Sequence, residues 1–143
     1  MPPLRISDWR NAVVGKSDTM NEIDLQKGIM IRRIKKNQKA DTEDIIPLAP
    51  TLIHFIRAAH IKGELFPNMS VTDIDNMIKR ALPDKTANPH YWRSYYTVHI
   101  LSQMESKAEI IETLRIMDHS LRTNNMYYNK QSSTAYNNLI AGK

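Results

Sequence analysis

Histidines and carboxylates come first, because a metal centre or an acid–base pair needs such side chains at fixed spacing. The chain has five histidines, His54, His60, His90, His99 and His119, and none belongs to an HExxH motif or another tight ligand pair. His60 and Glu64 stand four apart, but Gly63 breaks the helix that would put them on one face. Two ligands alone do not make a metal site. Asp118, His119 and Ser120 are the residue types of a hydrolytic triad, yet triads are assembled from distant positions, so adjacency carries no weight. Asp73 and Asp75 would point about 200° apart on a helix, and there is no glycine-rich phosphate loop. The expectation is a non-enzymatic protein with no catalytic residue, no metal site and no cofactor.

The basic residues are more informative. Five of the 20 Lys and Arg residues fall in the run 32–39: Arg32, Arg33, Lys35, Lys36 and Lys39. The net charge is +5, so the other fifteen basic residues balance the 15 acidic ones and the excess is local. A compact positive patch suits a polyanion, because Lys and Arg displace counterions condensed on phosphates. On a helix, Arg32, Lys36 and Lys39 would share one face, opposite a stripe of Met20, Ile23, Met30 and Ile34. Leu25 and Ile29 would lie on the basic side, available to another element or subunit. The competing reading is that Asp41, Glu43 and Asp44 answer this charge internally.

The third feature is aromatic. Tyr91, Trp92, Tyr95 and Tyr96 supply four of the ten Phe, Trp and Tyr residues and surround Arg93 at one helix start. Trp92, Tyr96 and His99 align on one side of that helix, with Tyr91, Tyr95 and Val98 on the neighbouring side. One ring set must pack inward, and Trp92 is expected there. The remaining rings with Arg93 would stack on unpaired bases or anchor a protein interface.

These residues need elements to hold them, and the patterning predicts helices. A short opening helix over 6–14 has Ser7 as N-cap and Gly15 past its end. Thr19 with Glu22 forms a capping box for a helix over 20–36, interrupted by Gly28. A β-strand over 29–34 is the less favoured alternative. Pro47 and Pro50 frame a helix over 51–62 closed by Gly63, and Ser70 with Asp73 opens one over 71–82. Asn88-Pro89 starts a helix to about residue 104, and Ser106 with Glu109 starts one to about 122. Pairing the 71–82 and 89–104 helices as a helix-turn-helix is weak, because six residues join them and no turn glycine is present. The expected fold is all-α, a single-domain irregular bundle of five to seven helices. It would comprise a helical domain over 1–125 and a polar Asn/Tyr-rich arm or short helix over 126–143.

Composition agrees with a globular chain. At 143 residues it is long enough to bury a core, and only 4 glycines and 7 prolines are available for turns. Cysteine is absent, which removes disulfides and thiolate chemistry. No apolar run approaches the roughly 20 residues of a membrane span, and Pro2 excludes myristoylation. The expectation is a cytoplasmic protein that grips RNA or DNA backbone through a basic helix face and self-assembles on it. Its site would be Arg32, Arg33, Lys35, Lys36, Lys39, Tyr91, Arg93, Tyr95 and Tyr96. The alternative is a helical interaction or adaptor module with a protein partner and no nucleic-acid role; neither reading involves a membrane.

Overall fold

The computed structural model describes residues 1–35, 42–82, 89–118 and 132–142, and only the backbone of Pro89 and His90. The chain divides into two compact units, Arg5–Pro83 with Met1, and Asp84–Lys143 with Pro2–Leu4. The all-α expectation is overturned: the first unit carries a five-stranded mixed sheet, which with the helices makes an α/β fold.

In the first unit the chain runs α1 (Ile6–Arg10), β1 (Ala12–Val14), β2 (Asn21–Asp24), β3 (Ile29–Arg32), β4 (Asp44–Pro47), α2 (Pro50–Ala58), β5 (Gly63–Glu64) and α3 (Val71–Ala81). The strand order is β4-β3-β2-β1-β5, with β1 and β2 parallel and the other pairs antiparallel. A parallel pair commonly needs a crossover of about a dozen residues, whereas residues 15–20 alone make this return. The Glu22 carboxylate holds the tight return by accepting from the Ser17 amide at 2.9 Å.

The expected helix over 20–36 is two strands and a turn. Gly28, at φ +65°, lets the chain reverse, and the register pairs Asp24 with Ile29 and Ile23 with Met30. Burial then follows a period of two: Asn21 and Ile23 on β2, Met30 and Arg32 on β3, Asp44 and Ile46 on β4. Of the expected helical stripe, Ile23 and Met30 fit this alternation as well, whereas Met20 and Ile34 lie outside the strands and Ile34 is exposed. What distinguishes the two is the burial of Asn21 and Arg32, which the wheel leaves in solvent. The opening helix is likewise shorter than expected, with residues 12–14 drawn into the sheet as β1.

The predicted helix starts at Pro50 and Ser70 are present. Ser70 Oγ accepts from the Asp73 amide at 3.1 Å and the Asp73 carboxylate accepts from the Ser70 amide at 2.9 Å. In the second unit α4 (Pro89–His99) is followed by a 3₁₀ turn (Leu101–Gln103), α5 (Lys107–Met117) and α6 (Thr134–Ile140). α4 ends five residues before the expected position, and the chain turns inward there to bury Leu101. Ser106 caps α5, accepting from the Glu109 amide at 3.3 Å, and Asp118 ends it in the left-handed region at φ 54°. Leu101, Ile110, Leu114 and Tyr136 form the core, with Tyr96, Met104 and Leu139 packed against it.

Candidate nucleic-acid interface

The described residues of the basic run, Arg32, Arg33 and Lys35, each meet a carboxylate. β-register places Asp44 directly across from Arg32. Arg32 is fully buried, and it donates to Asp44 Oδ2 at 3.0 Å from Nη2 and at 3.3 Å from Nε. The Asp8 carboxylate of α1 lies 3.6 Å from its Nη1. Lys35 reaches the same Asp44 oxygen at 3.5 Å and donates to Thr42 Oγ1 at 2.6 Å. Two cations thus meet two carboxylates in a buried group that closes near electrical neutrality, the condition under which charge survives away from water. Beside it, the buried Asn21 accepts from the Arg33 and Ile34 amides at 2.9 Å each and donates to Asp8 O at 3.1 Å.

Arg33 is half-buried on the opposite side of the strand. It pairs with Glu43 at 3.0 Å and Glu22 at 3.6 Å, and donates to the carbonyls of Ser17 and Met20. The expected helix face of Arg32, Lys36 and Lys39 therefore does not exist as such: Arg32 ends a strand and points into the unit. Of the three acids expected to answer the run, Glu43 and Asp44 do so; Asp41, Lys36 and Lys39 lie outside the described residues. Asp8 is a partner not foreseen from the residues, since 24 positions separate it from Arg32 and only the fold brings α1 to the sheet.

The aromatic run behaves oppositely. Tyr91, Trp92 and Tyr95 are exposed by 38%, 49% and 41%. Their rings form a continuous surface: centroids lie 5.7 Å apart for Tyr91–Trp92 and Trp92–Tyr95, 6.2 Å for Tyr91–Tyr95, and 4.4 Å for Tyr95–His99. Trp92, expected inward, is outside. Its place is taken by Arg93, which is buried and donates to Pro3 O at 2.7 Å and Met117 O at 2.6 Å. Thr97 caps the same inner face, its hydroxyl donating to Arg93 O at 3.0 Å. Tyr96 packs on the core, and burial, with Glu109 as the lesser cause, pushes its phenol up. Of the four predicted aromatic-site residues, Tyr91 and Tyr95 are brought together on the surface. Arg93 and Tyr96 are turned to the interior. Trp92 and His99 complete the exposed set, and a three-to-four spacing from Tyr95 was the signal for both.

Asp118 is a buried helix cap, and His119 and Ser120 lie outside the described residues. The Ser70 amide and hydroxyl hold the Asp73 carboxyl below its ordinary range. Among the described residues no three His, Cys, Asp or Glu side chains are placed to share a metal ion. No described helix is long and apolar enough to cross a membrane.

No protein-family model matches the chain, and no curated protein matches it. The crystal structure of XerA recombinase has a similar fold, with a TM-score of 0.59 over 98% of this chain at 18% sequence identity. The chain spans about half the length of that protein, 53% of which is covered.

Proposed function

We propose that this chain binds DNA as part of a recombinase-type protein. The observation that carries the reading is the extent of the likeness: 98% of the chain follows a fold seen in a recombinase, across both of its units. The exposed rings of Tyr91, Trp92 and Tyr95 support it, because aromatic faces stack on bases whatever their sequence. Lys36 and Lys39 are the basic-run residues proposed for the phosphate backbone, since Arg32 and Lys35 pair with Asp44 and Arg33 with Glu43. The test is fluorescence anisotropy with duplex and single-stranded oligonucleotides over a salt series. Dissociation constants between about 1 and 100 µM that weaken steeply with salt are expected. Affinity that stays undetectable at low salt would sink the proposal.

A second reading, favoured by the neighbour's description as a recombinase, is that the chain also breaks and rejoins strands. In this reading a hydroxyl of Tyr, Ser or Thr would serve as the side-chain nucleophile. It would attack phosphorus, displace a strand hydroxyl and leave the protein covalently joined to DNA. Supercoiled plasmid relaxed by the chain, with a protein–DNA adduct resistant to denaturant, is the expected sign. Binding without either product leaves the non-enzymatic reading standing.

A further inference from the structure

A separate cleft of about 600 Å³ opens in the first unit between the β1–β2 edge and the end of α2. Its size is that of a small-ligand site. The floor is apolar, built from Ile23 of β2, Ile56 of α2 and Ile61 of the link to β5. Lys16, Arg57 and Lys62 make the rim cationic and are exposed around it, as is the imidazole of His60. Two carboxylates also line it, but both are engaged. Glu22 accepts from the Ser17 amide and pairs with Arg33, and Asp24 accepts from the Lys27 amide at 3.0 Å. Arg57 is oriented by its bond to Leu25 O, 2.9 Å from Nη2. The side chains of Lys16, His60 and Lys62 have no hydrogen-bond or ion-pair partner among the described residues.

We infer that this cleft binds a small anionic ligand of the nucleoside monophosphate class. A flat heterocycle fits the isoleucine floor, where it is removed from water without needing a charged partner. The exposed amide of Gln26, on the same wall, offers one donor and one acceptor to a base edge. The phosphate meets the cationic rim, where two lysines, a guanidinium and an imidazole converge from three segments of chain. A fatty acid would leave Gln26 unused, and inorganic phosphate would leave the floor wet. This site goes beyond the DNA reading: among the described residues, none of those proposed for DNA lines it.

Calorimetric titration of AMP into the purified chain tests it. Binding in roughly the 10–100 µM range is expected, with adenosine and inorganic phosphate each at least about tenfold weaker, since each lacks half of the ligand. The double variant Lys16→Glu, Lys62→Glu should lose at least about tenfold in affinity while keeping its melting temperature, because both side chains are exposed and unpartnered in the described structure. In methyl NMR spectra, AMP should shift Ile23, Ile56 and Ile61. No heat with AMP at about 1 mM, unchanged affinity in the double variant, or shifts confined to residues outside the cleft would each overturn the inference. Duplex-DNA affinity that survives in the double variant would leave the DNA reading intact while the cleft is judged on AMP alone.

Discussion

In the first unit Arg32, Arg33 and Lys35, the described part of the most basic stretch, are met by carboxylates; in the second Tyr91, Trp92 and Tyr95 turn their rings outward. Arg32 has no exposed surface, pairs with Asp8 and shares Asp44 with its neighbour Lys35, whereas Trp92 exposes about half of its surface. Each inversion has a local cause. A strand end at the sheet centre faces a helix on one side, so its polar residues must find partners there or destabilise the fold. A helix that has already filled its inner face with Arg93, Thr97 and Tyr96 has nowhere but solvent for the remaining rings. Charge in a sequence therefore says less about exposure than the element that carries it.

The sharpest way to break this contrast is Asp44→Ala. It strands Arg32 and Lys35 without their shared carboxylate, and a loss of about 3–5 kcal/mol in denaturant unfolding is expected. A change under about 1 kcal/mol would mean that the run is solvated after all. Trp92→Ala should do the reverse. Stability should move by less than about 1 kcal/mol, while single-strand affinity falls about 5- to 100-fold if the ring stacks on a base. Ser70→Ala, which removes an exposed cap, should cost about 1 kcal/mol. Its partner Asp73 adds a pH signature: with the folded carboxyl below its ordinary value, the contribution is present above that ordinary value and is lost as pH falls through the lowered one. The variant should flatten that acid limb of the stability curve. Smallest is Lys79→Ala at the exposed pair with Asp75, for which a loss of no more than about 0.5 kcal/mol is expected by thermal melting.

Much of the helical part of the fold was legible in the residues. Ser70 with Asp73, Ser106, Pro50 and Pro89 each mark a helix start through local chemistry, and local chemistry decides a cap. The strands were not legible with the same ease. Ile23 and Met30 satisfy a period of 3.6 as well as the alternation of a short strand, and β2 and β3 are four residues each, too short for the period to declare itself. The site divided in the same way. Crowding of Tyr91, Trp92 and Tyr95 could be seen along the helix, but which face was outer depended on Arg93 reaching Pro3 and Met117. The cleft rim could not be seen in the residues, since Lys16 is 41 positions from Arg57 and joins it and Lys62 only in the fold.

The order of the sheet has a kinetic consequence. β1 to β4 lie side by side in the order in which the chain presents them, and only β5 returns across nearly fifty residues to join β1. Closing the long segment forfeits more chain entropy than closing the short ones, and just two residues of β5 are there to offset it. The first unit should then assemble from β2 and β3 outward and admit β5 last. Amide hydrogen exchange should find its earliest opening at the Gly63–Glu64 edge, well before the β3–β4 ladder that holds Arg32.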